Sequence, residues 1–171
     1  MLVRPQALAR IGGLAAIRAE LIDDCALAQA IKRSGGAISL VLTRGAHSMR
    51  RYSLVEIGGL ISRTAFNQLR HSYALLMVTL GGLLLTYMLP PLLLLTHRAE
   101  LIGLGLCAWL LMAGAYLPTL RFYARSPLWS VSLPAISVFY AAATVHSAWQ
   151  YAQGRGGAWK GRSQDVGTHA A

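Results

Sequence analysis

Three long stretches of this sequence, residues 72–96, 101–120 and 126–150, contain no Asp, Glu, Lys or Arg. A helix that crosses a bilayer needs about 20 mostly apolar residues. Lipid offers no partner to backbone N–H and C=O groups, so each stretch is expected to be helical. The runs predict an integral membrane protein, with spans at 72–96, 101–120 and 127–150. Its polar chemistry is then concentrated in the 71 residues before the first run.

Charge narrows the function classes. The net charge is +10, and residues 1–72 hold ten Lys or Arg against four acids. No basic run is interleaved with aromatics, which argues against nucleic acid as a partner. Basic flanks beside apolar spans mark the cytoplasmic side and suit anionic lipid headgroups or a phosphate-bearing substrate. The expected location is a bacterial inner membrane with the N-terminal segment in the cytoplasm. Arg4, Arg10 and Arg18 interrupt any apolar core long enough for a signal peptide. Cys25 and Cys107 form neither a CxxC pair nor a disulfide framework. The five histidines are scattered, without metal-ligand spacing, and there is no phosphate-binding GxxxxGK[ST] loop.

The N-terminal segment divides into short elements. Gly12-Gly13 is a break, and residues 15–33 have helix-forming composition with Ile22, Ala26, Leu27, Ala30 and Ile31 on one face. Ser34-Gly35-Gly36 ends that helix behind Lys32 and Arg33. Residues 37–43 form a β-branched apolar run of strand length. Ser53 and Glu56 make a capping box, and an amphipathic helix lying in the membrane interface is expected over 53–71. Pro90-Pro91 makes the first run either one kinked helix or a helix plus a re-entrant piece. Three full crossings put the tail opposite the N-terminal segment, yet Arg155, Lys160 and Arg162 favour the cytoplasmic side. Either the Pro90-Pro91 run does not fully cross, or the tail is external. His146 near the end of the third run reads as an interfacial histidine.

Asp23 and Asp24 are half of the acids before the runs. Adjacent helical residues point about 100° apart, so the two do not face each other as a dyad. Charge alone leaves them as a solvated helix turn. Their context resembles the acceptor-side block of family 2 glycosyltransferases: Gly12-Gly13, then Leu21-Ile22-Asp23-Asp24-Cys25-Ala26-Leu27-Ala28, then Ile31, Gly35 and Ile38. Along the rest of the chain, RTAFNQLR, AYLPTLRFY, SPLW and GGAWKGR resemble the hopanoid-biosynthesis-associated members.

That resemblance implies several things. Residues 1–52 would be a truncated C-terminal piece of an α/β GT-A glycosyltransferase domain. An α-helical membrane region follows, with the interfacial helix at 53–71, about three transmembrane helices within 72–151, and a polar tail at 152–171. Asp24 would be the general base and Asp23 a supporting acid. Arg63, Trp159, Lys160 and Arg162 would contact substrate. The Gln-x-x-Arg-Trp motif of processive synthases is matched only by its arginine, Arg63, which points to transfer of a single sugar. The sequence contains no Asp-x-Asp, so a divalent cation, Mg or Mn, is expected in a nucleotide-sugar-binding half outside this chain. The expected function is the C-terminal part of an inverting transferase acting on a lipid acceptor, hopanoid or isoprenoid, and inactive alone. The alternative is a small membrane scaffold without enzymatic activity.

Overall fold

The computed structural model describes residues 1–18, 22–46 and 49–155. It divides into two compact units, residues 1–49 and 50–171.

In the first unit, α1 (Pro5–Arg10) is opened by a proline in its first turn. It stops where Gly12 and Gly13 take φ of +82° and +79°, a left-handed backbone that side chains resist. A single 3₁₀ turn follows at Leu14–Ile17. The second helix, α2 (Asp23–Arg33), begins later than the composition of 15–33 predicts. It ends as expected, where the Gly36 N–H reaches back to the Ile31 carbonyl. The core of this unit is three residues, Ile17, Leu27 and Ile31, flanked by Val3, Leu8 and Ile11.

Residues 37–43 are neither helical nor paired as a strand, and the described residues contain no strand. A strand needs a neighbour to satisfy its N–H and C=O groups. None is present, and Leu40 is fully exposed. The α/β piece expected over 1–52 is therefore seen only as helices and a connecting segment.

The second unit is longer and better packed. The helix α3 (Leu54–Gln68) starts with the predicted capping box: the Glu56 N–H donates to Ser53 Oγ, and the Ser53 N–H donates to Glu56 Oε2 at 2.8 Å. The Ser53 N–H first, and then the Arg50 guanidinium at 2.8 Å, hold the Glu56 carboxyl below its ordinary range. A turn at Arg70 and His71, both left-handed with φ near +50°, leads into α4 (Tyr73–Leu83). A π-helical turn at Leu84–Met88 then passes into α5 (Leu89–Leu93). Pro90 and Pro91 have no N–H, so the carbonyls one turn upstream lose their helical donors. The wide turn lies where that ladder fails. The first run is thus one irregular helix, the kinked form of the two anticipated.

The helix α6 (Ala99–Phe122) returns against α5. Gly105 permits the approach: a Cβ there would stand 2.6 Å from the Pro90 carbonyl oxygen. After α6, Trp109 Nε1 donates to the Val131 carbonyl at 3.2 Å, so the chain folds back along α6. A 3₁₀ turn at Pro127–Ser130 precedes α7 (Leu133–Ala152).

Among the described residues two helices are long and apolar enough to cross a membrane, Tyr73–Leu93 and Ala99–Phe122. Only 11% of each apolar window is buried, so their side chains face outward. The third run, expected as a span at 127–150, holds two elements. Its first residues form the 3₁₀ turn, and α7 buries Ser137, Thr144 and Ser147 against the rest of the unit. It ends beside the α3–α4 turn, where the Tyr151 ring stacks on His71 at 4.3 Å.

Candidate functional site

The acidic pair occupies the first turn of α2 and is exposed. Ile22 at the N-cap has no side chain able to cap the helix. The carboxylates do that work instead. The Asp24 N–H donates to Asp23 Oδ1 at 3.0 Å, and the Cys25 N–H donates to Asp24 Oδ1 at 2.8 Å. Acids at this end, with Lys32 and Arg33 in the last turn, oppose the helix dipole at both ends. An ionised carboxylate has about four acceptor positions. One backbone bond leaves Asp24 capacity to take a proton. The Cys25 thiol is pushed up by desolvation first and by the Asp24 charge second.

Arg63 belongs to the second unit, on α3. The helix packs lengthwise along α7 in a constant register: Gly58 meets Phe139, Ser62 Oγ donates to the Ala143 carbonyl at 3.1 Å, and the Phe66 N–H donates to Ser147 Oγ at 3.1 Å. Each contact steps four residues along both helices, so the two run parallel. Beside this seam lies a groove of about 760 Å³ that Arg63 lines together with His146 and Gln150. The His146 ring nitrogen Nδ1 is 3.3 Å from Ser62 Oγ. Sequence reasoning missed this meeting of His146 with Ser62 and Arg63. Its signal was the four-residue spacing of small side chains, Gly58 and Ser62 on one helix and Ala143 and Ser147 on the other.

Asp23 and Asp24 share one turn, while Arg63 lies in the other compact unit. Trp159, Lys160 and Arg162 lie outside the described residues. Among the described residues no three His, Cys, Asp or Glu side chains gather as a metal site.

A family model described as glycosyl transferase family 21 matches residues 1–169. No curated protein and no solved structure is similar enough to match.

Proposed function

The chain belongs to glycosyl transferase family 21, and from that premise we propose that it serves the acceptor side of a sugar transfer at a membrane. The observation that carries this reading is the exposed Asp23-Asp24 pair opening α2 behind the Gly12-Gly13 break. The family supports glycosyl transfer from a nucleotide-sugar. The likeness to family 2 and to the hopanoid-associated members supports the finer choice of an isoprenoid-type lipid acceptor.

In the proposed reaction Asp24 accepts the proton of the acceptor hydroxyl. The acceptor oxygen forms a bond to the anomeric carbon as the bond from that carbon to the nucleotide phosphate breaks. The leaving nucleoside diphosphate takes the bonding electrons, and a single displacement inverts the sugar. Asp23 fixes the first turn through the Asp24 N–H. Donor and cation are assigned to no residue of this chain.

A membrane setting is supported by two apolar helices with outward-facing side chains. Stable soluble proteins rarely expose so much contiguous apolar surface. The end of α7 beside the α3–α4 turn favours one side of the membrane for the preceding segment and the tail, and the basic flanks favour the cytoplasm. Cysteine labelling tests this. A cysteine at Arg70 and one at Gln153 should both resist impermeant reagent in intact cells, and labelling of one alone would reverse the arrangement. An alkaline carbonate wash should leave the chain in the pellet.

The chemistry is tested with the chain joined to a donor-binding half of its family, following labelled sugar into the lipid phase. Asp24→Asn keeps the shape and removes the base, so turnover should drop by about 10²–10⁴-fold. Donor affinity should hold, and Asp23→Asn should cost less. Near-normal turnover in Asp24→Asn overturns the assignment. Transfer by the 171-residue chain alone would show that it holds its own donor site.

A further inference from the structure

The segment between α6 and α7 turns back on itself. It leaves α6 in a tight turn, where the Arg125 N–H donates to the Leu120 carbonyl at 2.8 Å. The Trp109 indole then holds the Val131 carbonyl at 3.2 Å. The helix between Trp109 and Phe122 is about 20 Å long. Val131 therefore stands near mid-depth of whatever α6 crosses. Backbone on a wet surface can rely on water, but lipid offers it no partner. The polar groups of this segment are met by the protein. Pro127 has no N–H. The Leu128 N–H donates to Ser126 Oγ at 3.4 Å, and the Trp129 N–H to the Ser126 carbonyl at 3.2 Å. The Val131 N–H reaches the Leu128 carbonyl at 3.2 Å. The Ser130 and Ser132 hydroxyls donate to the Pro127 and Trp129 carbonyls at 2.7 and 3.0 Å. Meanwhile Leu128 is 79% exposed, Trp129 56% and Val131 52%. Hydroxyls turned to the backbone and apolar side chains turned outward are the reverse of a loop in water.

We propose that residues 126–132 are a re-entrant element lying in the hydrocarbon region along α6, with Leu128, Trp129 and Val131 against lipid chains and Arg121 and Arg125 at the headgroups. Serine hydroxyls satisfy freed backbone groups in membrane helices in the same way. The outward apolar surface continues what α6 presents at Leu110 and Leu111, both well exposed. Arg121, Phe122, Tyr123 and Arg125 are exposed at the turn itself. Basic and aromatic side chains suit the membrane–water boundary. The arrangement also closes the topology. α6 returns alongside α5, so it ends on the side where Tyr73 opens α4, and α7 ends beside that same turn. A run that enters and leaves by one face accounts for both. This inference rests on the membrane setting proposed above, and not on the sugar transfer.

The test uses the full chain with Cys25→Ser and Cys107→Ala, reconstituted in phosphatidylcholine vesicles. A nitroxide is attached in turn at Leu111→Cys, Ala124→Cys and Leu128→Cys. Its collisions with oxygen report lipid, and those with a nickel chelate report water. The Leu128 label should resemble the Leu111 label, with nickel collisions about tenfold or more below those at Ala124. Trp109→Phe keeps an aromatic ring and removes the N–H that holds Val131. It should raise nickel collisions at Leu128 several-fold while leaving Leu111 unchanged. Should that variant fail to fold, the order of the three labels in the parent chain decides the matter. Nickel reaching the Leu128 label as freely as the Ala124 label, with Leu111 still protected, overturns the re-entrant element alone. Nickel reaching Leu111 as well overturns the membrane setting and this proposal with it. An unchanged Leu128 label in a folded Trp109→Phe variant overturns the role given to the indole.

Discussion

The two units of this chain hold themselves together in different ways. Residues 1–49 rest on three buried side chains, two short helices and a 3₁₀ turn. Their apolar stretch from Ile38 to Leu42 lies open to solvent. Residues 50–155 contain long helices joined by a register that repeats every turn, with Phe66 buried to 1% exposure at its centre. The difference teaches where the chain is autonomous. The second unit satisfies its own packing. The first carries the acidic pair on a helix whose core is too small to be strongly stabilising alone. The carboxylate proposed as the base therefore sits in the part of the molecule that gains most from outside support.

The sharpest break between the units should come from Asp24→Asn in the joined transferase. Turnover falls by about 10²–10⁴-fold. Because the residue is exposed and belongs to the first compact unit, thermal unfolding of the second unit should move by less than about 0.5 kcal/mol. A comparable loss of stability would show that the two units are one cooperative body.

Phe66→Ala strikes the other side of the comparison. The ring packs on Leu76 and Ala148 and against His71, Tyr73 and Tyr151. Its loss should cost about 3–5 kcal/mol, read as a lowered Tm in detergent. Protease sensitivity of residues 1–49 should stay unchanged. Ile31→Ala should do the reverse. It removes a third of a small core, costs about 2 kcal/mol, and speeds cleavage within residues 1–49 while the Tm of the second unit holds. Gly105→Ala introduces a methyl against the Pro90 carbonyl, backbone that yields little. The expected cost is about 1–3 kcal/mol, confined to the α5–α6 hairpin and visible by hydrogen exchange.

The smallest effect is one of pH. The Glu56 carboxyl is held below its ordinary range by the Ser53 N–H first and Arg50 second. Its stabilisation is complete above the ordinary glutamate range. It is lost as pH falls through the lowered value. Amides in the first turn of α3 should exchange faster below about pH 4, and Glu56→Gln should flatten that dependence. A profile unchanged by the substitution would remove the capping box as its source.

Legibility in the sequence followed the range of the interaction. The Ser53–Glu56 box was readable because its partners lie three residues apart and capping is a local competition for N–H groups. The irregularity before Pro90-Pro91 and the end of α2 at its glycines were readable for the same reason. The 37–43 run was misjudged, because β-branched composition favours a strand only when another strand can pair with it. The third run is free of charge but not of polarity. Ser137, Thr144 and Ser147 serve a protein-facing side of α7. The acidic pair was found by its neighbours in sequence, whereas His146 reaches Ser62 across 84 residues. No local pattern reports such a pairing, except through the matched spacing of small side chains on two separate helices.

The seam between α3 and α7 also sets a schedule for synthesis. Two of its bonded pairs join residues 81 positions apart. At about 5–20 residues per second, a ribosome needs roughly 4–16 s to make that interval. For that time the nascent α3 has its capping box but lacks its lengthwise partner. The Ser62 hydroxyl and the Phe66 ring wait for a helix not yet translated, while both long apolar helices emerge between them. The small residues that make the finished seam close-fitting thus present a stripe with little side-chain bulk to the insertion machinery during this interval. The seam is completed only by α7, and a chain cut short before Leu133 would leave α3 without that partner.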